Sequence, residues 1–83
     1  MENGDVVRVY PHGKEQHAVE ATVIVVSKNE RSIAVALGNI PPLWKSLGYT
    51  VHLEHGVVLV AYRQDVGPWI ELFNGGHYEI EEL

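Results

Sequence analysis

The sequence predicts a mainly β domain, a small antiparallel barrel or strongly bent sheet of six or seven strands with one short helical turn near residues 42–47. Three observations predict it. Valine occurs thirteen times and isoleucine five times in 83 residues, and β-branched side chains lose freedom in helices while fitting a pleated surface. Apolar and polar residues alternate with period two in several short runs, the spacing of half-buried strands. Clusters of glycine, proline and asparagine separate those runs where the chain must turn.

Asp5–Tyr10 reads as the first strand, stopped by Pro11 and Gly13. Ala18–Ser27 is a longer second strand, with Val19, Ala21, Val23 and Val25 expected on one face. The polar stretch Lys28-Asn29-Glu30-Arg31 connects it to Ser32–Leu37, where Ile33, Val35 and Leu37 alternate with Ser32, Ala34 and Ala36. These two runs predict an antiparallel hairpin. Pro41 and Pro42 then break the ladder, because proline has no N–H to donate. Pro42–Gly48 fits a single helical turn, opened by proline and closed by glycine; it is too short to stand alone. Leu43, Trp44 and Leu47 are expected to plug one end of the barrel.

Tyr49–Leu53 alternates again, Glu54-His55-Gly56 turns the chain, and Val57–Arg63 is the partner strand. Trp69–Phe73 follows the Gly67-Pro68 connection. Asn74-Gly75-Gly76 is a strong hairpin-turn signal, and His77–Glu82 closes the chain with Tyr78 and Ile80 opposite Glu79 and Glu81. At the level of strand pattern, nearly the whole chain resembles the SH3-like and related small barrels. That resemblance rests on no family motif and implies no functional residue.

Residues 1–83 suffice for one domain and are too few for two. There is no cysteine, so no disulfide supports the fold, and a 46% apolar composition must fill the core. The formal charge is −5, and all of it lies in residues 51–83, where Arg63 stands alone against Glu54, Asp65, Glu71, Glu79, Glu81 and Glu82. No cluster of Lys and Arg exists to neutralise a phosphate backbone, so no nucleic-acid partner is expected. The N-terminal residues lack the basic and apolar regions of a secretory signal. The longest apolar stretch, Val57–Tyr62, is far short of the roughly 20 residues that span a bilayer. A cytoplasmic protein without a membrane partner is expected.

Few residues suggest chemistry. His52, Glu54 and His55 gather two imidazoles and a carboxylate around one turn, a weak candidate metal site where zinc would want three or four converging ligands. Solvent-facing histidines are the competing explanation. Glu71 and Glu79 could face each other across the last hairpin as a carboxylate pair. No serine, threonine or glycine pattern marks a nucleophile or phosphate cradle, and neither catalysis nor a cofactor is expected.

Trp44 and Trp69, each beside a proline-containing loop, are candidates for a partner-binding groove, with the barrel core as the competing location. The sharpest signal is an excess of apolar residues. Val57–Tyr62 and Val23–Val26 are apolar on both faces, whereas a sheet packed on one side alternates. The sequence therefore points to a non-catalytic interaction module, or a small subunit of a larger assembly, that binds a protein partner or a second copy. Trp44, Trp69, Val58, Val60 and Tyr62 would supply the contact, and Glu79 and Glu81, with Glu71 and Glu82, would steer it toward basic surfaces. The alternative is a small-ligand or metal-binding domain built on the His52-to-His55 turn, or a small enzyme with no recognisable motif.

Overall fold

The computed structural model describes residues 1–38, 41–47, 58–63, 67, 69–71 and 78–83. Its strands are β1 (Val6–Pro11), β2 (Val19–Val26), β3 (Ser32–Ala36), β4 (Val58–Tyr62), β5 (Trp69–Glu71) and β6 (Tyr78–Glu82). Each pairs antiparallel with the next in sequence, and β6 returns to pair with β1. The result is a closed six-stranded antiparallel barrel, as the strand pattern predicted, and its order is up-and-down. The expected strand Tyr49–Leu53 and the turn at Glu54–Gly56 lie outside the described residues. Among the described residues every strand has a paired neighbour on both sides, and closure of this kind is how a small β domain avoids edge-to-edge association.

Alternation builds the interior. Val7 and Val9 of β1, Ile33 and Val35 of β3, Leu59 and Ala61 of β4, and Tyr78 and Ile80 of β6 are all buried. Cross-strand register stacks them, with Val9 opposite both Val19 and Ile80, and Val35 opposite both Val23 and Leu59. Each fully buried Val, Leu or Ile contributes about 1.5–3 kcal/mol relative to exposure, and this replaces the missing disulfide.

In β2 the alternation fails part-way. Ala21 and Val23 face inward as expected, but a bulge between Val23 and Val25 shifts the register. Val26, not Val25, packs against the core, and Val25 is left 57% exposed. An extra residue on one strand of an antiparallel pair reverses the facing of everything beyond it. The β2–β3 turn is tied by bonds from Ser27 N to Ser32 O and from Glu30 N to Ser27 O, both 2.9 Å. The Asn29 side-chain oxygen accepts from Arg31 N at 3.0 Å. Glu30 adopts φ 59°, a left-handed conformation that L side chains other than Asn and Asp seldom take.

Two short helical pieces close one barrel end. A single 3₁₀ turn, Glu15–His17, follows β1 after a turn in which Gly13 has φ 76° and Lys14 N donates to Pro11 O at 2.8 Å. Helix α1 (Pro42–Ser46) opens on proline as predicted. Its Trp44 is the plug. The indole is fully buried, stacks on Tyr78 with ring centroids 5.3 Å apart, and donates its Nε1–H to the His17 carbonyl at 2.8 Å. Leu43 and Leu47, expected to enter with it, are 49% and 46% exposed. A five-residue helix with one flank on the barrel can insert only one large side chain. No described helix is long and apolar enough to cross a membrane.

Candidate interaction surface

Most of the outer wall of β2, β3 and β4 is built from three cross-strand rows, with Glu20 exposed on the same face of β2 opposite Arg8 of β1. Thr22, Ala36 and Val58 form the first, Val25, Ala34 and Val60 the second, and Ser32 and Tyr62 the third. Val6 of β1 extends the first row beside Thr22, and Ile70 of β5 extends the third beside Tyr62. No side chain in these rows is charged. Val25, Val58, Val6, Ile70 and Tyr62 are all exposed, and Ile24 joins them at the bulge. A monomeric domain normally scatters its exposed apolar residues singly; here they are neighbours on adjoining strands.

The wall also has relief. Along β3 the outward residues are Ser32, Ala34 and Ala36, all small and half-buried. Flanking them stand Ile24 and Val25 on one side and Val58, Val60 and Tyr62 on the other. The wall is thus a shallow trough between two apolar ridges. Lys28, Glu30 and Arg31 in the β2–β3 turn and Arg63 after β4 form a polar rim at one end, where Arg63 N donates to Arg31 O at 2.9 Å. The Arg63 guanidinium also lies 4.4 Å from the centre of the Trp69 ring.

The opposite wall, β1 and β6, carries the charge. Arg8 donates to Glu81 Oε2 at 2.5 Å, and the Tyr10 hydroxyl donates to Glu81 Oε1 at 2.5 Å. Glu15 Oε2 lies 3.9 Å from Arg8, and His12 Nδ1 lies 3.1 Å from Glu79 Oε2. Tyr10 points outward from β1 yet is only 2% exposed, covered by this network. The hydrogen bond from Tyr10, then that from Arg8, holds the Glu81 carboxyl below its ordinary range. Burial and the bond to Glu81 push the Tyr10 phenol up, and Arg8's own hydrogen bond to Glu81 raises its guanidinium.

The predicted contact residues therefore fall into three places. Val58, Val60 and Tyr62 share the outward face of β4, as their spacing of two requires. Glu79 and Glu81 lie on β6 at the border of the apolar wall, next to Ile70, with their carboxylates turned toward β1. Trp44 and Trp69 are 0% and 1% exposed, which corrects their candidacy as groove residues, because a side chain inside the barrel has no surface to offer. Glu71 needs the same correction. It is 1% exposed on the inward face of β5, so it neither steers a partner nor faces Glu79, which points outward.

Inside the barrel, burial and the nearby Glu71 charge raise the Tyr78 phenol to about 12. The Tyr78 hydroxyl and Trp69 Nε1–H are buried without a hydrogen-bond partner among the described residues. His52, Glu54 and His55 lie outside the described residues, within which no group of three or more His, Cys, Asp and Glu could hold a metal ion.

Sequence reasoning missed Val6, Ile24, Val25 and Ile70 as parts of the apolar wall. The run Val23–Val26 flagged the neighbourhood, but the bulge decides which of its members faces out. It also missed the Tyr10–Glu81 contact, whose partners are 71 positions apart and meet only because β6 closes on β1. No protein-family model, curated protein or solved structure matches this chain.

Proposed function

We propose that the protein is a non-catalytic interaction module that docks through the outer wall of β2, β3 and β4. One observation carries this reading: Val25, Val58, Val60 and Tyr62 form a contiguous uncharged surface around the Ala34–Ala36 trough, with Val6 and Ile70 at its flanks. Burying such a surface is favourable at about 25 cal/mol per Å², and the core of a protein interface is depleted in charge in this way. Each strand has a paired neighbour on both sides among the described residues, which favours recognition through side chains over strand addition.

Glu79 and Glu81 form an acidic border, and the pairing of Glu81 with Arg8 leaves less free charge for steering than the sequence implies. Trp44 and Trp69 belong to the barrel core. A cytoplasmic protein with an SH3-like small barrel is the setting this reading assumes. Affinity capture from the native source tests it, comparing the wild-type chain with a Val60→Glu variant whose folding is confirmed by circular dichroism. A stoichiometric protein ligand, a native copy of the chain included, is expected on the wild type and absent from the variant. An identical set on both, or none on either, overturns the proposal.

A further inference from the structure

We infer that the occupant of the β2–β4 wall is a second copy of this chain, packed face to face about a two-fold axis. This rests on the reading of the wall as an interaction surface and names its partner. Two features of the wall select a copy over another protein. The first is charge. Each chain carries a net −5, so two copies repel wherever acidic surface meets acidic surface. Glu15, Glu79 and Glu81 sit on the β1–β6 side of the barrel, around Arg8, Tyr10 and His12. The β2–β4 rows bear no charged side chain, and Glu20, outward on β2, lies opposite Arg8 of β1, so the rows are where two identical chains touch with the fewest like charges opposed.

The second feature is shape. An isologous interface must be self-complementary, each contact from residue i to residue j being repeated from j to i. A ridge beside a trough meets that condition directly. With the axis between β3 and β4, the Val58–Val60–Tyr62 ridge of one copy lies in the Ser32–Ala34–Ala36 trough of the other, and the reverse contact follows by symmetry. The small trough residues are then explained, since larger side chains there would fill the space the partner's ridge occupies. A stable homodimer needs about 800 Å² from each copy, roughly a sixth of the 5177 Å² surface of the chain. The wall, with Val6 and Ile70 extending it onto the adjoining strands, would have to supply that area.

Sedimentation velocity from low to high micromolar concentration tests the inference, on wild type and on V60E, V25D and E15Q. Val25 is 57% exposed, so V25D keeps the test valid if V60E fails to fold. The wild type is expected to sediment as a dimer. V60E and V25D should raise its dissociation constant by about 100-fold or more, because each charge enters the interface twice without a partner. E15Q, on the other side of the barrel, should leave it unchanged. A wild-type chain that stays monomeric at high micromolar concentration overturns the inference, as does a dimer that neither V60E nor V25D weakens. Native capture separates the two levels. If the chain is monomeric but V60E and V25D still lose a captured protein, the second copy is rejected and the interaction surface stands. If they lose nothing, both fall.

Discussion

At the scale of single residues, Tyr10 shows how an outward side chain becomes buried. It leaves β1 on the solvent side, and alternation alone would put it in water. The Glu81 carboxylate instead takes its proton-bearing oxygen at 2.5 Å, and Arg8 closes over both, its guanidinium 5.7 Å from the phenol ring. A hydrogen bond to a charged acceptor contributes about 1.5–3 kcal/mol, toward the low end here because solvent reaches Glu81. Tyr10→Phe should therefore cost about 1–2 kcal/mol at neutral pH. The sign of the pH dependence follows from Glu81, whose folded-state carboxyl titrates below its unfolded value. Its contribution is complete above the ordinary glutamate pKa of about 4.3 and is lost as pH falls through the lowered value. Urea unfolding of wild type and Tyr10→Phe at pH 7 and near pH 3 checks this. The stability gap should narrow in acid, and an undiminished gap would show that the hydroxyl does not depend on the ionised carboxylate.

At the scale of elements, β2 decides how much of the interaction wall the sequence could reveal. Strands β3 and β6 were legible because each alternates without interruption, and Ile33, Val35, Tyr78 and Ile80 face inward as their spacing predicts. In Val23-Ile24-Val25-Val26 all four side chains are apolar, so the pattern carries no phase and the backbone bulge is invisible in it. Val58, Val60 and Tyr62 were legible for the opposite reason, since β4 has no bulge and its outward set follows from period two. Val6 and Ile70 were not, because their place beside that set depends on the register of β1 with β2 and of β4 with β5. Nor does residue type tell an inward tryptophan from an exposed one, and only barrel closure put Trp44 and Trp69 inside. The bulge itself makes a prediction. Val26→Ser removes a side chain packed on the core and should cost about 1–2 kcal/mol, whereas Val25→Ser at an exposed position should stay within about 0.5 kcal/mol. Thermal unfolding of the two variants in dilute solution, where association contributes least, reads the difference. Equal costs, or the reverse order, would mean that β2 alternates without a bulge.

For the whole molecule, the wall opposite the charged one matters more than the net charge alone. Of the acidic residues in 51–83, Glu81 and Glu79 turn toward Arg8 and His12 while Glu71 faces the barrel interior, so part of the sequence asymmetry becomes an asymmetry around the barrel. The β1–β6 side is held by the Arg8–Glu81 ion pair and the His12–Glu79 contact, and the β2–β4 rows bear no charged side chain. Two chains joined through the uncharged rows still repel through their combined −10, twice the −5 of each, with Glu79 beside Ile70 and Glu20 beyond Thr22 among the acids near the contact. The principal extents of one chain are 36 × 22 × 22 Å, so its far wall lies well beyond the Debye length of about 8 Å at physiological ionic strength. Salt should therefore act in a definite direction. Raising ionic strength from about 0.01 M, where the Debye length is about 30 Å, to physiological values screens the repulsion and removes no attractive pair from the contact. The dimer dissociation constant should fall by a few-fold over that range and then level off. A contact made instead through the β1–β6 wall would place Arg8 or His12 of one copy against glutamates of the other, and salt would weaken it. Sedimentation at the two ionic strengths distinguishes the cases by the sign of the change alone, and tighter association in salt is the result that places the charge-free wall between the two chains.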